Sequence, residues 1–130
     1  MKILQPPNWP QPKGYSNGVS AKGTMIFVAG MVGWNEKEKF ETNEFSGQAR
    51  QALKNIVAVL HEAGAKPEHI TRMTWYLADL DEYNASLKHL GKIYQEEIGK
   101  AFPAMTGIQV AGLVEKEAKL EIEVTAVIPD

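Results

Sequence analysis

The chain has 130 residues, a length that suits one domain and is sufficient to bury a hydrophobic core. Its 44% hydrophobic and 23% charged residues are ordinary for a globular protein and argue against disorder. The net charge of −2 shows no basic surplus of the kind that nucleic acid or an anionic membrane would attract. Cysteine is absent, which excludes disulfides and thiolate chemistry and fits a reducing compartment.

The N-terminal stretch, residues 1–14, contains four prolines and predicts an irregular arm, because proline donates no hydrogen bond to a sheet. It lacks the apolar core of a signal peptide. The longest apolar run, residues 25–34, is half the length of a membrane span, so we expect a cytoplasmic protein. The segments 16–21 and 24–31 then predict a hairpin that turns at Gly23, and its second strand is apolar on both faces.

Two segments follow the 3.6-residue apolar period of a helix. The first spans about residues 45–63, and Asn43 or Thr42 can cap its start. The second spans about residues 80–98, with Asp79 as a natural N-cap. A glycine follows each segment where a left-handed residue commonly ends a helix: Gly64 and Gly99.

Further strands are predicted at residues 70–77, 105–113 and 120–127, and the last shows the clearest alternation. A short additional strand fits near residues 31–34. The fold class is therefore α+β, with a mixed sheet of five to six strands and two helices on one face. Because several strands are apolar on both faces, the other face needs a cover, and another copy of the chain is the simplest source.

Several residue types that often carry chemistry have a simpler structural explanation here. The spacing of His61, His69 and His89 suits no metal site, and we expect neither a metal nor another cofactor. The glycine-rich stretch 29–34 lacks the lysine and the following helix of a phosphate loop. It predicts tight strand packing or a bulge, or else a close approach of backbone N–H groups to a bound oxygen. The aromatic residues Trp34, Trp75 and Tyr76 are predicted to serve packing.

A pair of glutamates, Glu121 and Glu123, lies on one face of the last predicted strand, with side chains that start about 7 Å apart. Such a pair is compatible with glycoside hydrolysis, but spacing alone favours a solvated strand face. If that face meets another subunit, a partly desolvated glutamate there becomes suited to proton transfer.

Six segments carry, in this order and spacing, a resemblance to the Rid (YjgF-type) family of enamine/imine deaminases. They are GYS (14–16), FVAGM (27–31), QARQALKNI (48–56), TWYLAD (74–79), PAMT (103–106) and LEIEV (120–124). The resemblance covers nearly the whole chain and implies a chorismate-mutase-like subunit, a homotrimer and ligand clefts between neighbouring subunits. Typical members hydrolyse reactive enamines and imines released by pyridoxal-phosphate enzymes, with a glutamate, a bound water and a carboxylate-binding arginine. The implied partners are small molecules, and the charge balance leads us to expect no nucleic acid and no membrane.

By position, the resemblance makes Glu121 the acid/base residue that activates water. The implied substrate-binding positions are Tyr15, Gly30, Met31, Met105 and Thr106. The chain departs from the family pattern at Met105, which replaces the arginine, at Met31, which replaces a glutamine, and at Gly107, where cysteine is frequent. All three changes make the cleft less polar, and methionine cannot clamp a carboxylate as arginine does.

These features predict a hydrolase or deaminase of a small enamine, imine or related carbonyl compound other than the standard 2-imino acids. Deaminases that act on 2-aminomuconate belong to the wider family and are one concrete example. A trimer that binds a small ligand without catalysis is the alternative. A ribonuclease or translation inhibitor is disfavoured by the acidic charge balance.

Overall fold

The computed structural model describes residues 1–130 and contains six strands and three α-helices. In chain order they are β1 (Lys2–Leu4), β2 (Gly18–Ser20), β3 (Gly23–Val32), α1 (Phe45–Glu62), β4 (Ile70–Leu77), α2 (Leu80–Ala85), α3 (Leu87–Glu97), β5 (Ala104–Gln109) and β6 (Leu120–Pro129). A short 3₁₀ helix (Pro67–His69) precedes β4. This arrangement confirms the α+β class, and none of the helices has the length and hydropathy needed to span a membrane.

The main sheet has four strands in the order β3-β6-β4-β5. β6 is antiparallel to both of its neighbours, and β4 and β5 are parallel, so the sheet is mixed as predicted. The remaining strands, β1 and β2, form a separate antiparallel pair. The six strands are therefore divided between two sheets, although the pattern predicted that they share one.

The predicted hairpin between residues 16–21 and 24–31 is wrong. Ile3 pairs with Val19, so β2 joins β1, while Gly23 at the start of β3 pairs with Pro129 at the end of β6. The predicted irregular arm accordingly contains a short strand. The apolar pattern of β3 indicated a buried strand but carried no information on its partner β6, which begins at Leu120, far away in sequence.

The helices agree with the sequence except at their ends and at one break. α1 begins after Glu44, and Thr42 accepts a hydrogen bond from the Glu44 backbone N–H at 3.1 Å; neither Thr42 nor Asn43 is the N-cap. The predicted second helix is divided into α2 and α3 at Ser86, whose hydroxyl donates to the Glu82 carbonyl at 2.8 Å. The predicted Asp79 cap of α2 is confirmed, since its side chain accepts two backbone N–H groups.

The helices cover one face of the main sheet. Lateral neighbours in a sheet point to the same face, and the pair Met73 and Val124 is buried in the core beneath the helices. The pair Thr74 and Glu123 points the other way, as does Phe27, which is 71% exposed. This second face, the open face, presents Met25, Phe27, Thr74, Tyr76, Glu121 and Glu123. An apolar area is thus left uncovered on it, as the sequence predicted.

One buried polar side chain, Gln48 on α1, fixes the approach to β6. Its amide nitrogen donates to the carbonyls of Thr42 at 3.1 Å and Glu117 at 3.0 Å. Its amide oxygen accepts the Lys119 N–H at 2.8 Å. The backbone of Gln48 also lies against Gly33, where a Cβ atom would come within 2.6 Å of the Gln48 Cα. These contacts hold the end of β3 and the start of β6 in place on α1.

Candidate functional site

The Glu121 carboxyl group lies directly over Gly30 on the open face. A Cβ atom built at Gly30 would come within 2.8 Å of Cδ and 2.9 Å of Cγ of Glu121, which is closer than real side chains approach. Gly30 belongs to an irregular part of β3, where the pairing with β6 shifts between Val28 and Met31. The predicted bulge at the glycines is therefore confirmed, and it gives the carboxyl group its room.

The second glutamate of the pair is engaged by a tyrosine. The Tyr76 hydroxyl donates to Oε1 of Glu123 at 2.8 Å. This hydrogen bond, with smaller contributions from burial and from the charges of Glu123 and Glu121, raises the pKa of Tyr76. Tyr76 thus remains a neutral donor that holds Glu123. The Glu121 carboxylate has no hydrogen-bond partner within the chain, so its lone pairs are available to a water or a ligand.

A cleft with a volume of about 460 Å³ lies between α3 and the edge strand β5. Its apolar lining consists of Tyr15, Trp75, Tyr83, Leu87, Leu90, Tyr94, Phe102 and Met105. We call it the aromatic cleft. Its volume is within the range of sites that take small organic ligands, and its walls are those of a site that recognises an apolar body with few polar groups.

Paired rings form the walls of the aromatic cleft. Tyr94 stacks on Phe102 with ring centroids 6.2 Å apart, and Trp75 meets Tyr83 edge-on at 6.5 Å. The Tyr94 hydroxyl donates to the Ala101 carbonyl at 2.5 Å, and burial raises the pKa of this phenol. The Tyr94 side chain is thereby fixed and uncharged.

The N-terminal arm reaches the cleft through Ser16. Its backbone N–H donates to the Pro103 carbonyl at 3.0 Å, its hydroxyl donates to the Phe102 carbonyl at 2.5 Å, and it forms an isolated bridge with Ala104. Ser16 is itself buried. These bonds place its neighbour Tyr15 at the cleft.

The sequence-predicted site residues fall into three places. Tyr15, Met105 and Thr106 all line the aromatic cleft. Gly30 and Glu121 meet on the open face of the sheet instead. The last predicted residue, Met31, pairs with Ile122 and packs against the core, so within one chain it lines neither place. Its side chain points to the helix-covered face because the bulge shifts the alternation of β3.

The aromatic walls were missed as site residues. Trp75 was predicted only to serve packing, and it is indeed 6% exposed, but it also lines the cleft. Tyr83 and Tyr94 lie in the segment 80–98, where they were counted toward the apolar period of the second predicted helix. The apolar period did not show that Leu87 of the same segment stays half exposed in the structure.

The cleft has almost no charge. Its single charged lining residue is Lys13, which is exposed. Of the two arginines, Arg50 is paired with Glu96 and Glu97 at 2.8 and 2.7 Å on the helices, and Arg72 is exposed in β4 outside the cleft. No guanidinium therefore lines this cleft.

The residues that commonly bind metals are dispersed. No group of three or more histidine, aspartate or glutamate side chains is arranged to hold a metal ion. His69 has a local role, since its Nδ1 accepts the Lys66 backbone N–H at 2.9 Å. The groups available to a ligand are therefore the aromatic side chains of the cleft and the carboxylates of the open face.

Comparison with known proteins places these features in context. The family model described as "Endoribonuclease L-PSP" matches residues 8–128. A "RutC family protein" of Aquifex aeolicus is 33% identical over 98% of this chain and 99% of that protein. A "2-iminobutanoate/2-iminopropanoate deaminase" of Salmonella typhimurium is 33% identical over 87% of this chain and 86% of its own length. The crystal structure of the Rid-family protein YyfB from Yersinia pestis superimposes with a TM-score of 0.85 at 29% identity, covering 98% of both chains.

Proposed function

This chain belongs to the endoribonuclease L-PSP (Rid/YjgF) family, as its sequence motifs indicated, and on that premise we propose that it hydrolyses a small enamine, imine or related carbonyl compound. Related proteins include 2-iminobutanoate/2-iminopropanoate deaminases. The proposed site is a cleft between the subunits of a homotrimer. The proposed substrate lacks the α-carboxylate of a 2-imino acid.

The observation that carries this proposal is the free Glu121 carboxylate held over Gly30 while Tyr76 engages Glu123. A carboxylate without a hydrogen-bond partner can accept a proton from water as that water attacks the imine carbon. The carboxyl group returns this proton to the nitrogen, which gives a neutral carbinolamine. As the C–N bond breaks and the C=O bond forms, Glu121 takes the hydroxyl proton and passes it to the departing nitrogen. Imine and water become a carbonyl compound and an amine or ammonia, so Glu121 is regenerated.

Assembly into an oligomer explains why the proposed site residues form two separate groups within one chain. Glu121 lies on the open face and Met105 lines the aromatic cleft, so one chain alone does not join them. The exposed Phe27 and Met25 give the open face an apolar surface that another subunit can bury. We propose that the open face of one subunit contributes Glu121 at the rim of its neighbour's aromatic cleft.

The substrate class follows from the charge of the cleft. A bidentate arginine is the side chain that fixes a carboxylate in a set orientation, and the corresponding position is Met105. Lys13 is a flexible point charge at the exposed N-terminal arm and cannot reproduce that geometry. A 2-imino acid would therefore bind without a fixed orientation of its carboxylate. An uncharged imine has no carboxylate, so the absence of the arginine does not weaken its binding.

Binding of a small ligand without turnover is the second candidate function. It is favoured by the separation of the aromatic cleft from Glu121 within one chain, since a ligand can be held by Tyr15 and Met105 without meeting the carboxylate. The family description as an endoribonuclease has no comparable support, because the net charge is −2 and the cleft walls are aromatic.

A direct test uses an uncharged imine, released in situ from benzylamine by an amine oxidase, and follows its decay in the ultraviolet. The unmodified protein should accelerate decay, and Glu121→Gln should not, although both proteins should melt at similar temperatures. Equal acceleration by the two proteins would exclude Glu121 as the catalytic residue. A lack of acceleration together with ligand-dependent stabilisation would support the non-catalytic function.

A further inference from the structure

The indole N–H of Trp75 is the one buried side-chain nitrogen or oxygen group that lacks a hydrogen-bond partner. Trp75 is 6% exposed and stands in the wall of the aromatic cleft. Buried donors are almost always paired, and an unpaired one carries a desolvation cost that an acceptor removes. An unpaired buried donor on a residue that lines a mostly apolar cleft is the arrangement expected of a site whose ligand supplies the acceptor.

There is open space at Gly107, next to Trp75 in the sheet. Gly107 on β5 is the lateral neighbour of Trp75 on β4, so both point to the cleft side of the sheet. A Cβ atom at Gly107 would meet nothing within 4 Å. Met105, two residues before it, is half-buried and has an unbranched, flexible side chain that can move to let a ligand reach the indole.

From this arrangement we propose that Trp75 is the polar anchor of the aromatic cleft, and that its indole N–H donates to a carbonyl oxygen or imine nitrogen of an uncharged, ring-sized ligand. The proposal rests on the function given above and deepens it, because it names the ligand class of the same cleft. The aromatic walls receive the ring, Gly107 leaves room for it, and the indole fixes the position of the single acceptor.

The near absence of charge in the aromatic cleft argues against a carboxylate ligand. A carboxylate ligand would bring a negative charge against Tyr83, Tyr94 and Phe102, in a cleft whose lining contains one charged residue, the exposed Lys13. An anion in such surroundings loses its hydration without compensation. A neutral acceptor requires one donor, and Trp75 supplies a donor that is already buried and unpaired.

Nuclear magnetic resonance of the indole groups tests the proposal on the unmodified protein without any chemical step. The chain has three tryptophans, so the indole region shows three N–H signals. Trp9→Phe and Trp34→Phe assign that of Trp75 by elimination, and both lie outside the cleft. Acetophenone is the probe, and α-methylstyrene is the matched control because a CH₂ group replaces its carbonyl oxygen.

The proposal expects acetophenone to move the Trp75 indole proton downfield in a saturable manner and to leave the other two signals in place. It also expects acetophenone to bind about tenfold more tightly than α-methylstyrene, the difference that one net hydrogen bond provides. In Trp75→Phe, which keeps an aromatic ring, this preference should disappear. An unmoved Trp75 signal, or equal effects of the two compounds, would overturn the proposal.

The same titration separates this proposal from the proposed function. Repeated on Glu121→Gln, it should give the same shift, because Trp75 binds the ligand independently of catalysis. If the protein hydrolyses imines but its Trp75 indole signal does not respond to acetophenone, the proposed function stands and the proposed role of Trp75 is wrong. A Trp75 response in a protein that hydrolyses nothing would confirm the anchor and assign the cleft to binding.

Discussion

The carboxyl group of Glu121 occupies the space that a side chain at Gly30 would need. The bulge in β3 creates that space, and the pairing of β6 with β3 carries Glu121 to it. Two segments more than 90 residues apart in sequence thus form one feature, in which the absence of a Cβ atom fixes where a carboxylate can lie.

Gly30→Ala tests this relationship. The added methyl group should displace the flexible Glu121 side chain rather than the backbone, so stability should change little. Misplacement of a catalytic group by about 1 Å can cost about a hundredfold in rate, and we expect a loss of kcat/KM of that order. Gly112→Ala is the matched control, since a Cβ atom there meets nothing within 4 Å. Comparable rates for the two variants would show that Gly30 does not position the carboxylate.

The two glutamates should behave differently. Glu121→Gln should reduce imine hydrolysis by at least about a hundredfold, the contribution of a positioned acid or base. Glu123→Gln keeps an acceptor for the Tyr76 hydroxyl and should retain most of the activity. Steady-state rates of both variants, with their melting temperatures, make the comparison. Greater damage from Glu123→Gln would transfer the catalytic role to Glu123.

The buried Gln48 should be important for stability rather than chemistry. Gln48→Met retains the shape of the side chain but leaves the Thr42 and Glu117 carbonyls and the Lys119 N–H without partners. We expect it to lower the free energy of unfolding by about 3 kcal/mol. Gln51→Met on the same helix removes one side-chain hydrogen bond, to Asn55, and should cost less than about 1 kcal/mol. Urea denaturation of both variants decides whether the network matters.

The elements that could be predicted from the sequence are those determined by residues close together in the chain. Strand β4, helix α1 and the cap at Asp79 follow from alternation, apolar period and side-chain chemistry. The pairing of β2 with β1 did not follow, since apolar patterning marks burial and leaves the partner strand undetermined. The break at Ser86 was also missed, because an apolar stripe continues across it and serine is tolerated within helices.

The candidate site was predictable only in part. Tyr15 and Met105 were chosen by motif, and they do line one cleft. Met31 was chosen by the same reasoning but points into the core, because a bulge inverts the alternation of β3 and leaves no periodic signal. The role of Trp75 depends on a missing hydrogen-bond partner, which is a property of three-dimensional packing.

The assembly should depend on the apolar part of the open face. Light scattering should give three times the chain mass of 14.4 kDa for the unmodified protein. Phe27→Asp places a charge where Phe27 is 71% exposed in a single chain, and burial of that charge should prevent association. Val114→Asp, at an exposed loop position, should leave the trimer intact. A monomeric mass for the unmodified protein at micromolar concentration would contradict the proposed inter-subunit site.

Replacement of Met105 should change the substrate class. Met105→Arg should improve hydrolysis of 2-iminopropionate about ten- to a hundredfold, the value of one charge-assisted hydrogen bond to the carboxylate. The same variant should bind uncharged imines less well, since the guanidinium occupies the apolar cleft. Met105→Leu is the control for loss of methionine without gain of charge. Thermal melting must accompany the kinetics, because a guanidinium without its ligand can destabilise the protein.

If Glu121 acts on substrates that carry no carboxylate, a comparison of two imines that differ in charge tests this most directly. Values of kcat/KM for the unmodified protein would be compared between 2-iminopropionate, formed by an amino-acid oxidase, and the uncharged imine of benzylamine. We expect the uncharged imine to be preferred by at least about tenfold and Glu121→Gln to eliminate both activities. Rapid clearance of 2-iminopropionate with no preference for the uncharged imine would contradict it.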